Sequence, residues 1–296
     1  MTVRVCPSPK GGTARHRSGY SCWTAAMASA LGPVAPMRWH APYFTAQGLL
    51  TRLPCPDGPA PTPRVFGASC AWFPLVGVVV GLVTAGVAAL LGGALDEPMG
   101  LAVAVALGVG ALVTGSFHED AFADVCDAFG GMTHERRREI MRDSRVGSFG
   151  AVGVAVLIVA KVAALSSMPW RVASAALLLG HVVARWSSTV MLRWVRLADT
   201  DEIAKVYAGQ VTWLRLAVAS LVPTVPLAWL LLGPAAAGGL LLGTVAIVAF
   251  ASIFFRRWLG GITGDCIGSV NQVVEVLVFA IAANPTVADA ILRRVS

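Results

Sequence analysis

The sequence is poor in charged side chains. Only 13% of its 296 residues are Asp, Glu, Lys or Arg, against about 25% in ordinary soluble domains. Its hydrophobic share is 56% and its mean hydropathy is +0.71. This composition argues against a soluble globular enzyme and places most of the chain in lipid.

Two further features are also missing. The six cysteines lie far apart and include no C-x-x-C pair, so the sequence indicates neither a disulfide framework nor a structural zinc site. The excess of Lys and Arg over Asp and Glu gives a net charge of +7. The basic residues lie between long uncharged stretches and form no continuous basic patch. We therefore expect no nucleic-acid partner and attribute the positive charge to membrane orientation.

Long apolar segments are the main feature that is present. Each of them can supply the roughly 20 helical residues that cross the hydrocarbon of a bilayer. The longest is predicted to cross twice, with a turn at Gly233-Pro234. The segments are Val65–Leu95, Pro98–Phe117, Val146–Trp170, Val172–Leu192, Leu216–Phe255 and Ile267–Ala283. The predicted fold class is all-α, a polytopic membrane bundle of about seven transmembrane helices.

The basic residues of the loops are predicted to lie mainly on one side of the membrane. When the segment before the first span is placed in the cytoplasm, only Arg171, Arg293 and Arg294 fall outside. The positive-inside rule requires this asymmetry. We expect a multi-pass protein of the inner membrane, with a disordered extension at 1–36 and one catalytic domain at 37–296 whose long polar loops face the cytoplasm.

Acidic residues are concentrated after the second predicted span. Seven of the sixteen fall between positions 119 and 143. Asp120, Asp124 and Asp127 are spaced i, i+4 and i+7, which places three carboxylates on one face of a helix. Because like charges so placed repel one another, a hard divalent cation with oxygen ligands would stabilise them. A solvated charged face is the alternative, and the position at a membrane boundary disfavours it.

A second polar segment, Arg142–Gly150, precedes the third predicted span. It contains two arginines, two serines and two glycines, which could form a backbone and guanidinium cradle for phosphate at the start of a helix. Arg145, flanked by Asp143 and Gly147, is favoured for this role. The arginines of 136–138 are expected to be positive-inside anchors only.

Several ionisable residues lie inside the predicted spans, where burying a charge is costly. Lys161, His181, Arg185 and Glu275 should therefore face the bundle interior or a wet cavity. Glu275 either pairs with Arg185 or Lys161 to hold the bundle together, or these groups bind substrate. Asp265, in a glycine-rich loop before the last span, is a further candidate ligand for a metal or a substrate.

Seven motifs and single residues occur in a fixed order, beginning near position 40 and covering nearly all of the remaining chain. They are Gly48–Pro54, Phe73–Gly77, His118–Asp127, Ile140–Gly150, Lys161, Gly261–Gly268 and Glu275. Together they resemble the cobalamin synthase family, adenosylcobinamide-GDP ribazoletransferase. The sequence departs from that family at Ala121, where glycine is usual, and at Glu119, where a small apolar residue is common.

The resemblance implies the last assembly step of the cobalamin nucleotide loop. In this step α-ribazole, or its 5'-phosphate, is joined to adenosylcobinamide-GDP to give adenosylcobalamin, or its 5'-phosphate, and GMP. The implied cofactor is Mg²⁺, and the implied partners are the two substrates and the lipid bilayer. A homo-oligomer is compatible with the sequence.

The resemblance also implies roles for individual residues. The metal ligands would be Asp120, Asp124 and Asp127, and the catalytic residues His118, Asp120 and Asp124. The substrate-binding residues would be Asp143, Ser144, Arg145, Lys161, Asp265 and Glu275. His118 is a candidate base for the attacking ribazole hydroxyl, and one of the aspartates is the alternative.

Two other functions are alternatives to the transferase. A membrane phosphotransferase of the CDP-alcohol type also uses aspartates at helical spacing, but its D-x-x-D-G-x-x-A-R pattern does not fit this chain. A secondary transporter would explain the charges inside the spans. Against it, no convincing internal repeat is present and the acidic residues lie at the membrane surface. Release of GMP that requires both substrates would separate an enzyme from a transporter.

Overall fold

The computed structural model describes residues 40–56, 61–194 and 209–295. The extension predicted at 1–36 lies outside the described residues. Within them the chain forms helices and turns and no β-strand. The α-helices are α1 (Ala41–Leu50), α2 (Pro63–Ser69), α3 (Phe73–Ala89), α4 (Met99–Thr114), α5 (Phe117–Asp127), α6 (His134–Met141), α7 (Ser148–Ser166), α8 (Trp170–Trp194), α9 (Trp213–Ala219), α10 (Val225–Leu232), α11 (Pro234–Leu259), α12 (Gly264–Ala282) and α13 (Pro285–Val295).

Six helical segments of the described chain are long and apolar enough to cross a bilayer. They are Pro63–Ala94, Ser148–Ser166, Trp170–Arg193, Trp213–Leu232, Pro234–Leu259 and Gly264–Ala282. The bent pair α4 and α5 makes a seventh if it is counted as one span. This confirms the predicted all-α membrane bundle of about seven helices. The double crossing turns as predicted at Gly233, which has a φ of 80°, and Pro234 begins α11.

The bundle is built around α8. In the most apolar stretch of this helix 94% of the residues are buried, against 22 to 61% in the other five spans. α3 and α12 pack along α8, and glycines allow a close approach on both sides. A methyl group on Gly77 would lie 2.5 Å from the backbone oxygen of His181, and one on Gly180 would lie 2.5 Å from the ring of Phe279. Small residues at helix contacts are the usual means of close packing in lipid.

The second predicted span, Pro98–Phe117, ends three residues early and is followed by a sharp bend. α4 ends at Thr114, and α5 begins at Phe117 with its axis turned by 92°. Gly115 and Ser116 both have positive φ, 68° and 57°, which no continuous helix allows. The 16 residues of α4 span about 24 Å at 1.5 Å per residue, less than the roughly 30 Å of hydrocarbon. The polar helix α5 therefore follows α4 as a separate element that packs against α7 and α12.

Candidate active site

α5 packs into the bundle through an apolar face. His118, Ala121 and Val125 are buried at helical spacing on this helix. A methyl group built on Gly268 of α12 would lie 2.5 Å from the methyl carbon of Ala121, so the two helices touch at this point. The Ala121 methyl, which stands where the resemblance leads one to expect glycine, therefore lies in a helix contact.

A different face of α5 carries the three predicted aspartates. Asp120 is exposed, whereas Asp124 and Asp127 are half-buried. Asp265, in the first turn of α12, is close enough to Asp124 for direct charge repulsion, as are Asp120 and Asp127. The structure thus brings together four carboxylates from two helices, with Asp265 at the place that the sequence analysis favoured.

The carboxylate of Asp127 is bonded to the start of α7. Its Oδ2 accepts a hydrogen bond from the N–H of Gly147 at 2.7 Å, and its Oδ1 accepts one from the N–H of Gly150 at 2.8 Å. Among the described residues, no group of three or more His, Cys, Asp and Glu side chains is already arranged to hold a metal ion. Asp120, Asp124 and Asp265 nevertheless offer only oxygen donors, which is the ligand chemistry of Mg²⁺.

The segment 142–150 borders a groove of about 480 Å³. Asp127, Arg136, Asp143, Arg145 and Phe149 are among its lining residues. The Arg145 guanidinium donates to both oxygens of Asp143, with Nη2 at 2.6 Å from Oδ2. These hydrogen bonds hold the pKa of Asp143 below its usual range, and the same pair raises the pKa of Arg145. The Arg145 side chain is 87% exposed, so an anion from solvent can replace Asp143 as its partner.

The predicted phosphate cradle is only partly available. Two of the backbone N–H groups at the start of α7 already donate to Asp127, so the chain's own carboxylate occupies the place predicted for an anion. Arg145 and Ser144 are both exposed. The Arg145 guanidinium therefore faces solvent and is available to an anion, whereas the N–H groups of Gly147 and Gly150 are already bonded to Asp127.

The ionisable residues of the spans form a buried cluster. Glu275 of α12 contacts Lys161 of α7 through Oε2 at 2.6 Å and Arg185 of α8 through Oε1 at 2.8 Å. Nδ1 of His181 lies 2.9 Å from the same Oε1. The side chains of Lys161, Arg185 and Glu275 are at most 2% exposed. Of the two alternatives left open above, the structure shows the ion pairs, which join three helices.

Gln272 links this buried cluster to the aspartate helix. It accepts a hydrogen bond from Nζ of Lys161 and donates one from Nε2 to Oε1 of Glu119 at 3.2 Å. Glu119 immediately precedes Asp120. Gln272 was not among the predicted site residues, although its position three residues before Glu275 places both on one face of the last span.

Arg52 is a second residue that the sequence analysis did not single out as part of the site. Its backbone N–H donates to the carbonyl of Val113 at 2.7 Å. A methyl group on Gly115 would collide with the Arg52 guanidinium. The side chain therefore lies over the break between α4 and α5, beside the start of the aspartate helix. The sequence feature that could have indicated Arg52 is its place in Gly48–Pro54, the first motif of the family resemblance.

His118 lies apart from the exposed aspartate face. The residue is 2% exposed, and its Cδ2 is 3.8 Å from the position of a methyl group built on Gly268. The imidazole is therefore enclosed between α5 and α12. This position favours the alternative stated above, in which an aspartate serves as the base.

One protein family matches most of the chain, including the region that forms this site. The family model, described as cobalamin-5-phosphate synthase, matches residues 42–283. The chain belongs to this family. Membership confirms the resemblance drawn from the sequence motifs. The matched region of this cobalamin-5-phosphate synthase family member extends from α1 through α12, so it contains both charged clusters, and only α13 lies beyond it.

Three curated relatives of this cobalamin-5-phosphate synthase family member carry the name adenosylcobinamide-GDP ribazoletransferase. The relative from Leptothrix cholodnii is 38% identical over 255 residues, covering 80% of this chain and 92% of the relative. The relative from Geotalea daltonii is 37% identical over 241 residues, with coverages of 79% and 94%. The relative from Ralstonia pickettii is 35% identical over 243 residues, with coverages of 81% and 93%. No solved structure matches the chain.

Proposed function

We propose that this chain is a membrane-bound adenosylcobinamide-GDP ribazoletransferase. A ribose hydroxyl of α-ribazole, or of its 5'-phosphate, forms a P–O bond to the phosphoryl group attached to cobinamide. The P–O bond to GMP breaks, GMP leaves, and the hydroxyl proton passes to a base on the enzyme. The observation that carries the proposal is the family match over residues 42–283, supported by relatives of this name over about 80% of the chain.

We assign a Mg²⁺ ion to the aspartate cluster. The cluster fits such an ion because all its donors are carboxylate oxygens and because Asp124 is subject to the negative charges of Asp265, Asp120 and Asp127. Asp120, Asp124 and Asp265 are the ligands that we favour. When bound there, Mg²⁺ supplies positive charge to the phosphoryl oxygens during transfer.

The remaining roles follow from exposure. Arg145 and Ser144, at the exposed rim of the groove, bind phosphate, and Arg145 exchanges Asp143 for a phosphate oxygen pair because both present two acceptors to the guanidinium. Asp120, the exposed member of the cluster, accepts the hydroxyl proton. We assign Lys161 and Glu275 to the support of the site and not to substrate binding, because they are buried and paired.

We further propose that the site faces the cytoplasm and that the protein resides in the inner membrane. The helix ends around the aspartate cluster carry a large share of the arginines of the described chain. They include the 136–138 group, Arg142, Arg145, Arg256 and Arg257. An excess of arginine near the ends of spans is characteristic of the cytoplasmic side.

The test uses full-length protein purified in detergent. Adenosylcobinamide-GDP and α-ribazole are supplied with Mg²⁺ or with a chelator, and cobalamin and GMP are measured together. We expect equal amounts of both products, only when both substrates and the metal are present. Asp124→Asn should lower turnover at least 100-fold at an unchanged melting temperature, and Asp289→Asn, an exposed carboxylate of α13, is the matched control.

Three results would contradict the proposal. They are the absence of both products from folded protein, GMP release that does not need α-ribazole, and full turnover by Asp124→Asn. The first two would reject the transferase activity. The third would reject the metal assignment and leave the transferase activity intact.

A further inference from the structure

Asp127 differs from the other carboxylates of its helix in what it contacts. Each of its two oxygens accepts a hydrogen bond from a backbone N–H, those of Gly147 and Gly150. Both donors belong to the start of α7, since Gly147 precedes the first residue of that helix. The first N–H groups of a helix have no partner within the helix, and its amino end carries a partial positive charge. A carboxylate is therefore well placed there.

Glycine residues make room for this contact. A methyl group on Gly147 or on Gly150 would lie within 3.0 Å of the carboxylate of Asp127. One turn further along α7, a methyl group on Gly153 would lie 2.5 Å from Sγ of Cys126. The three glycines are spaced three residues apart and form the face of α7 that receives the end of α5. Because an alanine at any of them would require a shift, the fit is specific to glycine.

The contact joins the two halves of the proposed site. Asp127 lies three residues after Asp124 on α5, and Gly147 lies two residues after Arg145. The bonds from Gly147 and Gly150 therefore fix the loop that carries Arg145 relative to the helix that carries the proposed metal ligands. A cation shared by the same oxygens would face the positive end of α7, which is electrostatically unfavourable.

We infer that Asp127 is a positioning residue, which anchors the amino end of α7 and the adjoining Arg145 against the aspartate helix, and that it is not a ligand of the metal ion. The inference rests on the proposed function, because it divides the roles within the same site. It replaces, as a proposal, the expectation from the family resemblance that Asp127 binds the metal.

The first measurement is metal binding without substrate. Mn²⁺ serves as the probe for the Mg²⁺ site, and free Mn²⁺ is followed by electron paramagnetic resonance in detergent-purified, full-length protein. We expect Asp127→Asn to bind Mn²⁺ within about threefold of the unaltered protein. Asp124→Asn should weaken Mn²⁺ binding more than tenfold.

The second measurement separates substrate positioning from chemistry. Because Arg145 is displaced when its anchor is lost, Asp127→Asn should raise the KM for adenosylcobinamide-GDP about tenfold and change kcat by less than threefold. Gly150→Ala keeps the Asp127 charge but fills the space that the carboxylate occupies, so it should raise KM in the same way. Gly108→Ala on α4, where a methyl group meets no atom within 4 Å, is the matched control and should change neither constant.

Two results would overturn the inference. The first is a loss of Mn²⁺ binding in Asp127→Asn or Gly150→Ala as large as that in Asp124→Asn, which would make Asp127 a metal ligand. The second is an unchanged KM in both variants, and where Asp127→Asn does not fold, Gly150→Ala decides alone. Neither result bears on the proposed function, which fails separately if the unaltered protein forms no cobalamin and GMP.

Discussion

α12 carries two charged clusters that differ in how their charges are compensated. Near the middle of the helix, Glu275 meets Lys161 and Arg185, so positive side chains face a buried carboxylate. Asp265, ten residues earlier and about 15 Å away along the axis, joins three further carboxylates from α5 and repels Asp124. The first cluster contains its own counter-charges, whereas Asp124 in the second faces the negative charges of its neighbours.

The difference separates a structural use of charge from a functional one. In a bilayer, a buried charge is tolerated when its partners come from neighbouring helices, and the resulting cluster then holds those helices together. Carboxylates that remain together without a cation raise the free energy of the folded protein, and a bound metal ion relieves that cost. Gln272 joins the two clusters, since it contacts Lys161 on one side and Glu119 on the other.

The largest expected effect is in the compensated cluster. Glu275→Ala leaves Lys161 and Arg185 buried without their carboxylate, and removal of one partner from a buried ion pair costs about 3–5 kcal/mol of folding free energy. We expect a large drop in the melting temperature in detergent. Asp289→Ala, which removes an exposed carboxylate from α13, is the control, and its melting temperature should be close to that of the unaltered protein. Equal melting temperatures for the two variants would show that the Glu275 cluster does not hold the bundle together.

An intermediate effect is expected where α5 and α12 touch. Gly268→Ala places a methyl group 2.5 Å from that of Ala121, and such overpacking typically costs about 1–3 kcal/mol. The double change Ala121→Gly with Gly268→Ala restores the space and should recover most of the lost stability and turnover. If the double variant is no more stable than Gly268→Ala alone, the contact between these two residues is not the cause of the loss.

The smallest effect is expected for the exposed pair of Asp143 and Arg145. The pKa of Asp143 is lowered by its hydrogen bonds with Arg145, so its contribution to stability is present above the usual carboxylate pKa and is lost as the pH falls through the lowered one. Exposed ion pairs contribute little. Asp143→Asn should therefore melt slightly below the unaltered protein at neutral pH, and the gap should close in acid. A gap that widens in acid would contradict this assignment.

The sequence predicted the spans well because each span is one continuous run of uncharged residues, which can be recognised without knowledge of tertiary contacts. The apolar segment Leu216–Phe255 and its Gly233-Pro234 turn are sufficient to predict two crossings. The break after Thr114 was not predicted, because it depends on the conformation of Gly115 and Ser116, and a non-glycine residue rarely adopts positive φ.

The site was predicted less completely than the fold. Helical spacing places Asp120, Asp124 and Asp127 on one face, but it does not show which partner each carboxylate binds. The bonds from Gly147 and Gly150 to Asp127 cross 20 and 23 residues of sequence. The partners of Glu275 lie 90 and 114 residues away from it. Such pairings arise from packing between helices, and a single sequence does not specify them.

The separation of Glu275 from its partners affects how the protein is made. Lys161 and Arg185 are synthesised 114 and 90 residues before their carboxylate. At 5–20 residues per second, these intervals last roughly 5 to 25 seconds, during which α7 and α8 lack the group that neutralises them. A nascent chain that stops short of α12 holds two uncompensated cations. Neutralisation of Lys161 and Arg185 thus waits for α12, and a stable bundle depends on this helix having been translated.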